Sequence, residues 1–178
     1  MRLLNKRMFA VFFVWSSYAM AADSVEISKK LNECNQLLKS ENPQKALDLS
    51  SQLVQLSPSS RAAFLCKGRA EVALSQRQQA IESFKAVSRL SSNDTEKIMA
   101  SAMLGNAYKA NNQTQEAIEQ YKIALEASKS LKNQGFERVS HELIASAVFL
   151  ATKYDEAIAD YQIALKLAQN DGERADIY

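Results

Sequence analysis

Residues able to do chemistry are few in this 178-residue sequence. There is one histidine, His141, and there are two cysteines, Cys34 and Cys66. A histidine works as a general base only when the proton it takes lies within hydrogen-bond reach. His141 is followed by Glu142 and has no nucleophile set against it, which favours a surface or packing residue. No Gly-x-Ser-x-Gly elbow presents a serine, and no glycine-rich loop offers backbone N–H groups to a phosphate. Cys34, Cys66 and His141 amount to three metal ligands without the spacing of a zinc site. No catalytic residue, metal site or cofactor is therefore expected. The tyrosines and Phe84 could stack on nucleic-acid bases, but they recur at regular positions that read as packing.

Those positions belong to helices. Four Gly and two Pro are too few for the turns of a strand-rich fold. Ala, Leu, Lys, Glu and Gln dominate, and all favour helices. The expected class is all-α. Four segments share one pattern: Lys45-Ala46-Leu47 with Ser50 and Leu53, Gln79-Ala80-Ile81 with Phe84 and Val87, Glu116-Ala117-Ile118 with Tyr121 and Ala124, and Glu156-Ala157-Ile158 with Tyr161 and Ala164. Positions i, i+4 and i+7 lie on one face of a helix, so each segment carries the same apolar stripe. Another helix precedes each one. These carry Leu31, Cys34, Leu37 and Leu38; Phe64, Leu65, Gly68 and Val72; Leu104, Gly105 and Tyr108; and Ile144, Ala145, Val148 and Phe149. Polar breaks at Ser40–Pro43, Ser75–Arg77, Asn111–Thr114 and Thr152–Lys153 separate the two helices of each pair.

Leu104-Gly105-x-x-Tyr108 and Tyr154-Asp155-Glu156-Ala157-Ile158-x-x-Tyr161-x-x-Ala164-Leu165 resemble the two helices of the tetratricopeptide repeat, with Pro58 where a closing proline often sits. The resemblance covers nearly all of residues 22–178. It implies a right-handed α-solenoid of about four helix-turn-helix repeats, at about 27–60, 61–94, 98–131 and 138–171, with 172–178 starting a further or capping helix. It also implies a scaffold that binds a protein or peptide and is not an enzyme. Small residues such as Gly68, Gly105, Ala117 and Ala157 let helix backbones approach, and Phe84, Tyr121 and Tyr161 fill the gaps. Ala46 and Ala80 are 34 residues apart, Ala80 and Ala117 37, and Ala117 and Ala157 40. The extra residues near Ser91–Asp94 and Ser130–Gly135 read as longer connections, the second after a lengthened helix. Ser92-Asn93 before Asp94-Thr95-Glu96 reads as a helix start. Asn170-Asp171-Gly172 reads as a helix stop. Glu173–Tyr178 then reads as the start of another first helix, which leaves a short cap and a longer solenoid both open.

The other end reads as an address. Arg2, Lys6 and Arg7 precede an apolar run from Met8 to Trp15, and Ala19-Met20-Ala21 closes it. This is a signal-peptide pattern for residues 1–21, with the mature chain starting at Ala22, and the run is too short for a membrane span. Its loss removes three cations and takes the net charge from +2 to −1, so no affinity for nucleic acid is expected. The expected location is the periplasm or cell envelope. The function read from these features is an adaptor there, within an envelope or outer-membrane complex. The alternative is an oligomerisation or structural module of a larger envelope assembly for secretion, pilus or polysaccharide export.

Two site expectations follow from the repeat alignment. Cys34 and Cys66 sit on consecutive first helices, 32 residues apart against a period of 34. That offset is about 3 Å of helix rise, so a disulfide is expected in an oxidising compartment, against the alternative of two buried free thiols. In the tetratricopeptide family the first helices line the concave face. Asn35, Arg69, Asn106 and Ser146 share the ninth position of each repeat, and Lys109 follows Asn106 by one turn. A position polar four times running should face solvent, so this row is the expected peptide-binding groove. Leu31, Leu65, Ala102 and Glu142 stand one turn before the row. They depart from the Lys-with-Asn pattern of the chaperone-binding subgroup and argue against a clamp for a C-terminal carboxylate.

Overall fold

The computed structural model describes residues 25–177. The expected signal at residues 1–21 and its cleavage site lie outside them. Among the described residues nine helices follow in order: α1 (25–39), α2 (Pro43–Leu56), α3 (Arg61–Ala73), α4 (Arg77–Arg89), α5 (Asp94–Ala110), α6 (Thr114–Ser130), α7 (Gln134–Leu150), α8 (Tyr154–Leu167) and α9 (Asp171–Ala175). There is no strand among the described residues. The first eight helices form four hairpins. From α2 to α8 each helix packs on its chain neighbours, and α5 also meets α7. Contacts that stay between neighbours are the mark of a solenoid.

The two kinds of connection close differently. Turns inside a hairpin close by backbone alone. The amides of Asn42, Gln76, Gln113 and Lys153 donate to the carbonyls of Leu37, Glu71, Tyr108 and Val148, at 2.8 to 3.0 Å. This six-to-one bond needs a left-handed residue, and Glu41, Ser75, Asn112 and Thr152 take φ between 56° and 60°. Turns between hairpins add side-chain caps, and the one between α6 and α7 also closes by the six-to-one bond, Asn133 N donating to Ser128 O at 3.1 Å with Lys132 at φ 52°. Ser60, Asn93 and Asn133 accept from the amides of Ala63, Glu96 and Phe136, in each case the third residue of the helix.

Of the two expected causes of the uneven repeat spacing, the lengthened helix before Ser130–Gly135 is present as α6, but neither connection is longer. The connection between α4 and α5 is residues 90–93, no longer than residues 57–60 between α2 and α3. The added residues lengthen helices instead: α5, α6 and α7 have 17 residues each against 13 for α3 and α4. Asn170-Asp171-Gly172 is also not a stop. Asn170 caps α9 by accepting from Glu173 N at 2.9 Å, and Gly172 lies inside that helix. Asn is favoured at helix starts as well as just past their ends, and here the start prevails.

Glycines set the depth of the hairpins. A Cβ on Gly68 would stand 2.7 Å from the Phe84 ring, and one on Gly105 would stand 2.4 Å from the Tyr121 ring. Both distances are below van der Waals contact, so only glycine admits the ring at these two positions. Each ring then reaches the next repeat. Phe84 joins Ala100, Leu104 and Ala107 of α5, and Tyr121 joins Ile144, Ala147 and Val148 of α7. The first hairpin lacks such a ring. Ser50 occupies the aromatic position, and a disulfide joins Cys34 to Cys66 with Cα atoms 6.5 Å apart.

Candidate binding groove

The row at the ninth position faces solvent. Asn35, Arg69 and Asn106 are exposed, and Ser146 and Lys109 are half-buried. Neighbouring first helices bring the row into pairs. Arg69 Nη1 donates to Asn35 Oδ1 at 3.3 Å across one joint, and Lys109 Nζ donates to Ser146 Oγ at 3.2 Å across another. Asn106 is held from below: Tyr121 Oη donates to its Oδ1 at 2.6 Å. Burial pushes the Tyr121 phenol far above its usual pKa, so it stays a donor.

These bonds change what the row can offer. Asn35 donates to the Leu31 carbonyl at 3.0 Å while accepting from Arg69, so both ends of its amide are engaged. Asn106 has its acceptor taken by Tyr121, which leaves its Nδ2 amide hydrogens for a ligand. Arg69 and Lys109 carry only donors. The groove therefore presents donors, suited to carbonyls and carboxylates, rather than asparagines that pair with both sides of a peptide backbone.

Apolar side chains flank the row. Val72 is 51% exposed, three residues after Arg69. Phe149 is 53% exposed, three residues after Ser146, with Leu150 next to it at 58%. Met99 and Val139 are exposed seven residues before Asn106 and Ser146. Spacings of three, four and seven put all five on the row's own face. Val72 and Phe149, which the periodicity assigns to the core stripe, thus belong to the groove. A cavity of about 290 Å³ opens between α3 and α5, lined by Arg69, Val72, Phe84, Met103, Asn106, Ala107 and Ala110. Its walls are mostly apolar, with Arg69 and Asn106 as the polar groups, so it can take an aliphatic or aromatic side chain.

His141 is a packing residue. It is buried, and its Nδ1 lies 2.7 Å from Asp160 Oδ1, which ties α7 to α8. Nearby, Arg138 pairs with Glu142 and with Glu173, the latter at 3.5 Å. Burial raises the Glu142 pKa, with Arg138 opposing the shift. Among the described residues no group of three or more His, Cys, Asp or Glu side chains is placed to hold a metal, and no helix is long and apolar enough to cross a membrane.

The same hairpin stack occurs in solved structures. A crystal structure of MamA is similar at 20% identity and a TM-score of 0.70, covering 91% of this chain and 87% of that one. A MamA fragment from Desulfovibrio magneticus RS-1 gives 18% identity and 0.68, covering 79% and 75%. YrrB, described as a TPR protein with an unusual peptide-binding site, gives 18% and 0.62, covering 88% and 77%. The fold is the tetratricopeptide-repeat fold. It is an all-α right-handed solenoid. No protein-family model matches the chain, and no curated protein matches it in sequence.

Proposed function

We propose that the protein is an interaction scaffold whose concave groove holds an extended peptide or a helix of a partner protein. The observation that carries this reading is the groove's composition. Donors stand in a row at Arg69, Asn106 and Lys109, and the exposed apolar side chains Val72, Met99 and Phe149 flank them beside the 290 Å³ cavity. A folded protein rarely exposes such a set without a partner for it. A ligand that fits has one bulky apolar side chain for the cavity and a carboxylate or free carbonyls facing Arg69 and Lys109. YrrB's peptide-binding site gives this reading a precedent in the same fold.

The setting we propose is the bacterial periplasm or envelope, on the export signal read in residues 1–21 and the paired cysteines. The test is a pull-down from native envelope with Asn35, Arg69 and Asn106 changed together to Ala. All three are exposed, and because Asn106 also accepts from the buried Tyr121 hydroxyl the variant's fold is checked by circular dichroism and thermal unfolding first. Loss of the partners captured by the unaltered protein is expected. Unchanged capture by the folded variant would move binding off the concave face.

A further inference from the structure

On the concave face α1, α3, α5 and α7 meet at three joints, and two of them are bridged. Arg69 reaches across the first to Asn35, and Leu38 packs against the Cys66 and Ala70 cluster there. Lys109 reaches across the third to Ser146, and Leu143 packs against the Tyr121 cluster. The middle joint, between α3 and α5, differs. Its two polar walls are engaged elsewhere, Arg69 with Asn35 and Asn106 with Tyr121. In the repeat register Val72 stands where the third joint has Lys109, and Ala110 where it has Leu150. Both are shorter side chains, and the 290 Å³ cavity opens between them.

Granted the groove reading on which this rests, we propose that the middle joint is the groove's specificity pocket, and that its occupant is an aromatic side chain on an extended, acidic segment of a partner protein. The walls select a ring. Phe84 lines the cavity from α4, with Met103 of α5 packed against the same cluster. An aromatic occupant gains from the Phe84 ring, from the thioether and from the Arg69 guanidinium, whereas an aliphatic one gains from burial alone.

The rim selects charge. Within one turn of the row on α3 and α5, the charged side chains on its face are Arg69 and Lys109, both cations. Glu142 on α7 is engaged by Arg138. The chain's own residues 1–24 carry Arg2, Lys6 and Arg7 against one acid, Asp23, the wrong charge for this rim. The free hydrogens of the Asn106 amide need a backbone carbonyl, which an extended segment offers and a helix interior has already used. Spacing follows from the frame. Packed helices stand about 8–10 Å apart and an extended chain advances about 3.3 Å per residue, so an acid over Lys109 lies roughly three residues from the ring and one on Arg69 lies next to it.

The probes are a fluorescein-labelled peptide, Gly-Ser-Glu-Trp-Gly-Ser-Glu-Gly, and its reverse, which covers both chain directions. Each is titrated into the purified protein and followed by anisotropy. Saturable binding of at least one order is expected. Trp replaced by Leu should weaken it several-fold, and by Ala about tenfold or more. Both Glu replaced by Gln should weaken it and remove most of its salt dependence. Ala110→Phe puts the chain's own ring into the cavity and leaves the cations in place, so it should weaken binding by about tenfold. Equal binding of the Trp and Leu peptides, indifference to Ala110→Phe, or no saturable binding of either order overturns the aromatic pocket. So does a crosslinker at Val72 that captures this chain's own residues. If the triple Ala variant still loses its partners in the pull-down, the groove reading survives without the pocket; unchanged capture there ends both.

Discussion

In the third repeat Tyr121 lies across Gly105, fully buried, and its hydroxyl holds Asn106 in the groove. In the first repeat the matching residues are Ser50 and Cys34, and neither fills the slot as a ring does. The first repeat is fastened by the Cys34–Cys66 bond to α3 instead. One hairpin is held by shape and the other by a covalent link. Both devices end at the same row, since Asn35 and Asn106 each follow the fastened residue by one position. The row is thus fastened in its first and third repeats by different chemistry. Three changes probe this contrast, in decreasing order of expected effect.

Removing the link should cost the most. Replacing Cys34 and Cys66 by Ala frees the unfolded chain from a closed loop, about 3–4 kcal/mol on the chain-entropy model. Urea unfolding of the variant beside the oxidised protein measures it, and hydrogen exchange should rise in α1 and α2 more than in α5 and α6. Equal exchange in both regions would mean that the bond does not replace the missing ring.

Gly105→Ala attacks the other device. Its Cβ would enter the Tyr121 ring, an overpacking cost of about 1–3 kcal/mol. Gly135→Ala is the control: the nearest atom to its Cβ, Asn133 Oδ1, lies at 3.4 Å, so it should be neutral or mildly stabilising. Thermal unfolding of the two variants should separate them. Similar midpoints would remove glycine from the account.

The smallest effect concerns the hairpin turns that both regions share. Thr152 is β-branched and holds φ at 60°. Thr152→Gly should relieve that strain and stabilise by up to about 1 kcal/mol, less the added freedom of the unfolded chain. A lower unfolding midpoint would show that the threonine side chain contributes more than its backbone costs.

Much of this was legible from residues alone. The repeat period announces the helices, places Cys34 near Cys66, and aligns Asn35, Arg69, Asn106 and Ser146 on one face. What escaped has physical reasons. Val72 and Phe149 are apolar residues on helices that serve both core and groove, and periodicity cannot separate two faces of similar composition. Ile158 repeats the pattern of Ile118, but α7 packs over Ile118 and leaves Ile158 53% exposed. The Tyr121–Asn106 bond depends on how two helices meet, which no spacing encodes. Asn170 and Gly172 can start or end a helix, and the register of Glu173 on Arg138 settles the matter in space.

The central claim is that the concave groove, with its donors and apolar flanks, is where a partner binds. A photo-crosslinking side chain placed at Val72 in the groove and, separately, at exposed Glu119 on α6 tests it most directly. The account predicts a covalent adduct from Val72 in native envelope, none from Glu119, and loss of the Val72 adduct when Arg69 and Lys109 are changed to Ala. An adduct from Glu119 alone, or a Val72 adduct that survives loss of both cations, would contradict it.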